Sequence, residues 1–255
     1  MISLYGKTAI EAAIESGRLI KRSVGKVGRI SYKGRDNIVT DVDKRSEKCI
    51  IDKVSAHYPG HSILSEEAGL IVSSSKYKWI LDPLDGTTNF SRGFPFFCVS
   101  IALEKEQDII LGVVYDPMRD ELFYAEKRRG AYLNNKRIRV STTKKLEDAF
   151  LATGFSYGSS KDNNIRNFKD FLLKSMAIRR AGSAALDLCY VACGRFDGFW
   201  EIGLQQWDSA AGSIIIKEAG GSITGFDGGQ YDQYKNEVLA SNRYIHSRMI
   251  SVLSR

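Results

Sequence analysis

The chain contains few of the residues that build disulfide frameworks and zinc sites. It has four cysteines and three histidines, with no Cys-x-x-Cys pair and no histidine at ligand spacing from a cysteine. Cys98 lies in an apolar run, and Cys189 and Cys193 lie four positions apart in a segment with a helical pattern. We interpret the cysteines as buried thiols, with a zinc site as the alternative that the spacing does not support.

Long apolar runs are also missing. No stretch reaches the roughly 18–20 consecutive apolar residues of a membrane helix. Residues 1–17 lack the basic-then-apolar order of a secretory signal. We therefore expect a cytoplasmic protein without a membrane partner.

A concentrated basic surface is not visible in the sequence either. The net charge is +7 with histidine neutral, and it is dispersed. Short basic clusters occur at 127–129, 136–139 and 179–180, none interleaved with aromatic residues as in nucleic-acid modules. A positive field favours anionic small molecules or nucleic acid, but because the charge is dispersed we do not expect nucleic acid as a partner.

What is present is an alternation of helical and strand-like patterns over a length that can bury a sizeable core. This indicates a mixed α/β fold with layered sheets and helices. No repeat or linker divides the chain, so we expect one domain over 1–255, made of two halves, 1–145 and 146–255, that share one site. Helices are predicted at 8–24, 43–57, 165–176, 184–193, 209–219 and after 246, strands at 62–64, 78–81, 98–103, 109–115, 121–125, 130–133, 137–140, 150–153 and 196–200, and a polar loop at 31–43.

Residues 79–90, WILDPLDGTTNF, contain the most informative motif. The alternative interpretation is a plain turn, because Asp, Pro and Gly are turn formers. Asp82, however, follows an apolar strand and is expected at the carboxyl edge of a sheet, and Pro83 lets Asp85 point back toward it. Two carboxylates that close repel each other unless a cation lies between them, and Mg²⁺ suits oxygen ligands, which could include the Leu84 carbonyl.

The next residues, Gly86-Thr87-Thr88, favour an anion site. Glycine permits close approach, and the two threonines offer hydroxyls and N–H groups at the start of a short helix ending near Gly93. Carboxylates joined to an anion-binding turn indicate phosphoryl chemistry.

Three further segments repeat the theme. Glu66 and Glu67 follow the strand at 62–64, where a solvated pair is the alternative. Asp208 lies in the first turn of an apolar helix, where its alternative role is an N-cap. Gly182-Ser183 opens another helix with a hydroxyl that we expect to be exposed.

Taken together, these segments resemble the inositol monophosphatase family of Mg²⁺-dependent, lithium-sensitive phosphatases. The resemblance runs through SEEAG, DPLDGTTNF, GSAALDLCYVACGRFDGFWEIG and WDSAAGSIIIKEAGG, at 65–69, 82–90, 182–203 and 207–221. It implies a layered αβαβα sandwich of the sugar phosphatase type, a homodimer, and hydrolysis of inositol 1-phosphate or a related polyol or sugar phosphate by in-line attack of a metal-activated water.

The resemblance also implies roles for individual residues. Two or three Mg²⁺ ions per site are expected, with Mn²⁺ as a substitute and Li⁺ and Ca²⁺ as inhibitors. The implied metal ligands are Glu66, Asp82, the Leu84 carbonyl, Asp85 and Asp208; the implied catalytic residues are Glu66, Thr87 and Asp43. The implied substrate contacts are Asp85, Gly86, Thr87, Gly182, Ser183, Ala184, Glu201, Asp208 and, as a further candidate, Arg180.

Two positions depart from the family pattern. Ser65 stands where a glycine commonly precedes the glutamate pair, and Asn37 stands where an aspartate is frequent in the loop. These departures leave the ligands in place and bear on loop geometry and the weakest metal site.

Several alternatives stay open. A phosphatase of the haloacid dehalogenase type would need a nucleophilic aspartate in Asp-x-Asp-x-Thr, whereas the spacing here is Asp-x-x-Asp. Arg179 and Arg180 could bind a second phosphate, which makes fructose 1,6-bisphosphate a candidate substrate; nucleotide 3'-phosphates are another. A non-enzymatic role in binding RNA or protein is the alternative from a different class.

Overall fold

The computed structural model describes residues 2–26, 30–33, 37–155 and 161–254. Its α-helices are α1 (Leu4–Ser23), α2 (Asp41–His57), α3 (Thr87–Ser91), α4 (Lys161–Leu172), α5 (Ala184–Ala192), α6 (Gln206–Glu218) and α7 (His246–Leu253). Its strands are β1 (Ile30–Lys33), β2 (Asn37–Thr40), β3 (Ser62–Ser65), β4 (Gly69–Ile71), β5 (Tyr77–Asp85), β6 (Cys98–Lys105), β7 (Asp108–Asp116), β8 (Glu121–Glu126), β9 (Ala131–Leu133), β10 (Lys136–Arg137), β11 (Phe150–Thr153), β12 (Ala177–Arg179), β13 (Gly198–Ile202), β14 (Ser222–Thr224) and β15 (Glu237–Ser241).

The strands form two large sheets. The first has eight strands in the order β10-β9-β8-β7-β6-β5-β3-β4, and the second has five in the order β12-β11-β13-β15-β14. Within them β3 is parallel to β5, and β11 is parallel to both β12 and β13. The remaining described pairings are antiparallel, including a separate β1–β2 hairpin.

Three hydrophobic clusters separate five layers. One lies between the pair α1 and α2 and the first sheet. The second fills the space between the two sheets and surrounds α5 and α6. The third lies between the second sheet and α7, with Phe171 of α4 contributing. The order helix, sheet, helix, sheet, helix confirms the predicted αβαβα sandwich.

Strand β6 shows why the sequence there is almost continuously apolar. Cys98 and Ala102 belong to the cluster around α5 and α6, whereas Val99 and Ile101 belong to the cluster beneath α1 and α2. Because side chains alternate between faces, a strand covered by helices on both sides must be apolar at nearly every position.

Several predicted elements need correction. Part of the predicted loop 31–43 forms the hairpin β1–β2 and the start of α2, with residues 34–36 outside the described part of the chain. The strand expected to end at Leu81 continues to Asp85 through an irregularity between Asp82 and Asp85, where one extra residue accommodates Pro83. The helix predicted at 165–176 spans Lys161–Leu172, and the strand predicted at 137–140 is the shorter β10, Lys136–Arg137. Four short strands, β4, β12, β14 and β15, were not predicted.

The four cysteines carry free thiols; Cys98 and Cys189 are buried, whereas Cys49 and Cys193 are partly exposed. Among the described residues, no helix has the combined length and apolar character required to cross a membrane.

Candidate active site

Two parallel strands place the first two acidic residues side by side. In the β3–β5 pairing, Ser65 lies opposite Leu81. The residues that follow, Glu66 and Asp82, therefore leave the same edge of the sheet together, and the Glu66 N–H donates to the Leu81 carbonyl at 3.3 Å. This is the arrangement expected from the position of both residues after apolar strands.

The irregularity in β5 fixes the second aspartate. The Leu84 N–H donates to Asp82 Oδ1 at 3.0 Å, which closes a tight turn around Pro83. Asp85 Oδ2 then accepts hydrogen bonds from the Ser183 hydroxyl at 2.6 Å and the Ala185 N–H at 2.8 Å. Asp85 thus joins the first sheet to the start of α5.

The Ser183 hydroxyl is not exposed, which corrects the prediction. Ser183 is 1% exposed, donates to Asp85 and accepts the Leu186 N–H at 3.4 Å as the N-cap of α5. The Ser183 hydroxyl donates its proton to Asp85, so the Ser183 side chain positions the Asp85 carboxylate.

Gly86 and Thr87 lie directly after the two aspartates. Gly86 has φ of 93°, a left-handed conformation that favours glycine, and a Cβ there would lie 3.0 Å from the Phe96 carbonyl. The Thr87 hydroxyl lies 3.0 Å from both Asp43 Oδ1 and the Leu84 carbonyl. Asp43, in the first turn of α2, is 1% exposed and also accepts the Thr40 N–H at 2.8 Å.

The second half of the chain supplies the opposite wall. Parallel β11 and β13 place Thr153 opposite Trp200, so that Gly154 and Glu201 follow side by side. A Cβ on Gly154 would lie 2.0 Å from Glu201 Oε2, so the glycine makes room for the carboxylate. Asp208 lies in the first turn of α6 and accepts the Gln205 N–H at 2.6 Å; Gln205, and not Asp208, is the N-cap.

These residues line one cavity of about 450 Å³. Of the sequence-predicted site residues it contains Glu66, Asp82, Leu84, Asp85, Gly86, Thr87, Arg180, Gly182, Ser183, Ala184, Glu201 and Asp208. Asp43 lies behind the wall and reaches the cavity through Thr87. A larger cavity of about 930 Å³ lies between α1 and α2 and contains none of the predicted residues.

The cavity also contains Thr88, which the sequence placed in the anion-binding turn. The lining residues that were not predicted from the sequence are Asn89, Gly154, Phe155, Gly203, Leu204, Gln205 and Trp207. Asn89 Nδ2 donates to the Phe96 carbonyl at 2.7 Å and the Ala181 carbonyl at 2.8 Å, which ties α3 to the segment before α5. Gly154 could have been found, because it directly follows a correctly predicted strand; Asn89 carries no such local signal.

The two adjacent arginines, Arg179 and Arg180, have different surroundings. Arg180 lines the cavity. Arg179 instead places its guanidinium 4.8 Å from the centre of the Phe150 ring, on the surface. Only Arg180 is positioned to meet a ligand in the cavity.

Burial and neighbouring negative charges disfavour the charged form of several carboxylates in the cavity. Burial, followed by the charges of Glu66, Asp85 and Asp208, raises the pKa of Asp82 well above its ordinary value. Burial and the Asp85 charge raise the pKa of Asp208 to about 7. Burial, with Asp208 and Asp85, also raises the pKa of Glu201, which the Arg180 charge partly offsets.

This donor set fits hard divalent cations. Clustered carboxylate oxygens with raised pKa values gain most from a cation placed among them, and a carbonyl oxygen such as that of Leu84 has a second lone pair available beside its Thr87 bond. As the side chains stand, no group of three or more His, Cys, Asp or Glu residues in the described part of the chain is arranged to hold a metal ion.

A model of the inositol monophosphatase family matches residues 3–255. The chain belongs to the inositol monophosphatase family. This confirms the resemblance drawn from the motifs, and members of the family are generally metal-dependent phosphatases.

Individual relatives cover almost the whole chain. A Mesorhizobium japonicum protein named inositol-1-monophosphatase is 41% identical over 251 residues, which cover 96% of this chain and 94% of that protein. A Pseudomonas aeruginosa protein named Nus factor SuhB is 42% identical over 254 residues, with 96% and 94% covered. Similarity of sequence therefore extends to proteins with two kinds of name.

Solved structures are similar over the same length. The extragenic suppressor protein suhB from Bartonella henselae has a TM-score of 0.96 at 41% identity, covering 99% of both chains. The protein called SaIMPase-II, solved with inositol monophosphate bound, has a TM-score of 0.84 at 30% identity, covering 98% of this chain and 94% of that one.

Proposed function

We propose that this member of the inositol monophosphatase family is a Mg²⁺-dependent phosphomonoesterase that hydrolyses inositol 1-phosphate or a related polyol phosphate. The observation that carries the proposal is the single cavity lined by Glu66, Asp82, Asp85 and Asp208, with Gly86 and Thr87 at its wall. Acidic residues drawn from both halves of the chain, among which burial raises the pKa values of Asp82, Asp85 and Asp208, are suited to metal-assisted phosphoryl chemistry.

The proposed metal ligands are Glu66, Asp82, the Leu84 carbonyl, Asp85 and Asp208. When bound, two or three Mg²⁺ ions would supply charge neutralisation for the phosphate and a lowered pKa for the attacking water. Inhibition by Li⁺ and Ca²⁺, with Mn²⁺ as a substitute for Mg²⁺, belongs to the same proposal.

Residues of this chain would orient the attacking water. Asp43 is held by the Thr40 N–H and accepts the Thr87 hydroxyl proton at 3.0 Å. With its proton directed at Asp43, the Thr87 oxygen presents a lone pair that can accept a hydrogen bond from water. Glu66, beside Asp82 at the sheet edge, would accept the second water proton, which leaves the water oxygen facing phosphorus.

The opposite wall would recognise the alcohol part of the substrate. Glu201 is 7% exposed, lines the cavity and can accept hydrogen bonds from vicinal hydroxyls. The segment that leads into α5, at Gly182 and Ala184, also lines the cavity and offers backbone groups. A carboxylate facing a cavity that also contains a guanidinium, Arg180, suits a polyol that carries one or two phosphates.

The test is phosphate release from inositol 1-phosphate and from fructose 1,6-bisphosphate, with Mg²⁺ and with Mg²⁺ plus lithium. We expect lithium-inhibited release, faster from the inositol ester because one arginine, rather than two, faces the cavity. Faster release from the bisphosphate would move the substrate assignment to sugar bisphosphates. Release from neither, with Mg²⁺ present, would contradict the proposal.

A second role as a binding factor is the other candidate, because a relative 42% identical over nearly its full length is named Nus factor SuhB. The net charge of +7 would permit contact with RNA. Salt-dependent RNA binding that is retained in Asp208→Asn would support this role. Binding absent at low salt would remove it.

A homodimer and a cytoplasmic location are the remaining parts of the proposal. Light scattering of the purified protein tests the dimer, and cell fractionation tests the location.

A further inference from the structure

We propose that Glu47, a buried carboxylate that is not one of the proposed ligands, is a positioning residue that holds the turn carrying Glu66 in place. The inference rests on the proposed function, because its consequence is a Glu66 carboxylate preset for metal. Glu47 lies on α2 and is 7% exposed.

One carboxylate oxygen of Glu47 accepts three hydrogen bonds from the end of β3 and the turn that follows it. Residues 66–68 form the three-residue connection between antiparallel β3 and β4, in which Ser65 pairs with Gly69. Glu47 Oε1 accepts the Glu67 N–H at 3.1 Å, the Ala68 N–H at 2.9 Å and the Ser65 hydroxyl. Three donors on one carboxylate oxygen fix both the strand end and the turn.

The remaining amide of the turn is held from the opposite side. The Glu66 N–H donates to the Leu81 carbonyl of β5 at 3.3 Å. The backbone on either side of the Glu66 side chain is therefore bonded to α2 or to β5, and the side chain itself lines the cavity. The position of the Glu66 backbone relative to Asp82 is thereby fixed, and a ligand on an ordered backbone loses less conformational entropy when a metal binds.

Glu47 belongs to a face of α2 that contacts three separate site segments. Asp43 accepts the Thr87 hydroxyl, the Ser46 hydroxyl donates to the Pro83 carbonyl at 2.6 Å, and Glu47 binds the turn 66–68. Positions i, i+3 and i+4 share one helix face, so one rigid element sets the relative positions of the proposed water-orienting pair, the aspartate turn and the Glu66 turn.

Ser65 gains a role in this arrangement. It stands where glycine is common in the family pattern, which put the geometry of this loop in question. In this chain Ser65 is fully buried and its hydroxyl adds a third donor to Glu47, which neither glycine nor alanine could supply. We therefore expect this turn to be held more firmly here than with glycine.

The experiment combines amide hydrogen exchange with Mg²⁺ titration calorimetry on the full chain. The variants are Glu47→Ala, Glu47→Gln, Ser65→Gly and, as the matched control, Asp52→Ala. Asp52 is an exposed carboxylate of the same helix that forms an ion pair with Lys48 at 2.8 Å. In Glu47→Ala we expect faster exchange of the amides of Glu67 and Ala68 and a rise of about tenfold or more in the Mg²⁺ dissociation constant, as for other residues that orient metal ligands.

The other three variants are compared with Glu47→Ala. Glu47→Gln keeps an acceptor oxygen and should restore most of the amide protection, Ser65→Gly should weaken Mg²⁺ binding less than Glu47→Ala, and Asp52→Ala should change neither. At saturating Mg²⁺ kcat and the Michaelis constant for inositol 1-phosphate should both stay near those of the unmodified protein. A general loss of folding would lower kcat instead, because it reduces the amount of active protein.

The outcomes separate the two proposals. Mg²⁺ binding by the unmodified protein that is equally tight in Glu47→Ala, with unchanged exchange of the two amides, would overturn the positioning role alone. No Mg²⁺ binding by the unmodified protein would overturn the proposed function and this inference with it.

Discussion

Replacing Asp208 with asparagine should stabilise the metal-free protein while it removes a proposed metal ligand. Asparagine has almost the same volume as aspartate, and its side-chain oxygen can still accept the Gln205 N–H that Asp208 accepts at 2.6 Å. What the change removes is a negative charge beside Asp85 in a partly buried position. The start of α6 should therefore remain intact.

The sign and size follow from the pKa of Asp208. Burial and the Asp85 charge raise it to about 7, above an unfolded value near 4. A carboxyl whose pKa is higher in the folded state favours folding at pH values below its unfolded pKa, and that advantage is lost as pH rises through about 7. The full difference between the two pKa values corresponds to about 4 kcal/mol of unfolding free energy. Solvent exposure and the favourable position of an acid in a first helical turn reduce this value. We therefore expect Asp208→Asn to be more stable than the unmodified protein by about 1–3 kcal/mol at pH 8.

Thermal unfolding with EDTA measures this effect. At about 2–4 °C per kcal/mol for a chain of this size, the melting temperature of Asp208→Asn should exceed that of the unmodified protein by about 2–12 °C at pH 8, and by less at pH 5. Excess Mg²⁺ should reverse the order, because only the complete ligand set gains the full binding energy. A variant less stable than the unmodified protein at pH 8 without metal, or a difference that does not change with pH, would refute the repulsion argument.

The remaining predictions concern the substrate wall and pH. Arg180→Ala should raise the Michaelis constant for fructose 1,6-bisphosphate about tenfold, and that for inositol 1-phosphate less. The surface control Arg179→Ala should change neither constant. Equal effects of Arg180→Ala on both esters would rule out a role for Arg180 in binding a second phosphate. Gly154→Ala should displace Glu201, whose Oε2 would lie 2.0 Å from the new Cβ, and should raise the Michaelis constant for inositol 1-phosphate about tenfold at unchanged Mg²⁺ affinity. Burial lowers the pKa of the His246 imidazole, which lies between two hydroxyl groups. The contribution of neutral His246 to the free energy of unfolding should therefore be complete above pH about 6.5 and should fall as pH decreases below it. In urea titrations His246→Gln should show a smaller fall.

The site was predictable where its chemistry is local in sequence. Asp82, Asp85, Gly86 and Thr87 lie within one motif, and they lie together because a strand irregularity folds the chain back on itself. Glu66 was predictable for a related reason, since it follows an apolar strand that pairs in parallel with β5. Carboxyl ends of parallel strands meet at one edge, and this rule needs only strand assignments.

The supporting contacts were not predictable, because they join segments far apart in the chain. Glu47 reads as an ordinary helical glutamate, yet it binds amides 20 and 21 positions away. Ser183 was expected to expose its hydroxyl, but its proton goes to Asp85, 98 positions away. Local patterns cannot specify which buried polar groups will meet across layers.

The fold shows the same division. The long elements with clear periodicity, such as α2 and β6, were placed to within a few residues. The strands β4, β12, β14 and β15 were missed because each has five or fewer residues and depends on its neighbours in the sheet for its pairing.

The most direct test of the central claim is the rate of phosphate release from inositol 1-phosphate as Mg²⁺ is titrated, in the unmodified protein and in Asp82→Asn. We expect saturable Mg²⁺-dependent hydrolysis that falls at least a thousandfold in the variant, because Asp82 is a proposed metal ligand that lies beside Glu66 at the sheet edge. Hydrolysis that is independent of Mg²⁺, or that survives in Asp82→Asn, would contradict the assignment of this cavity as a metal-dependent phosphatase site.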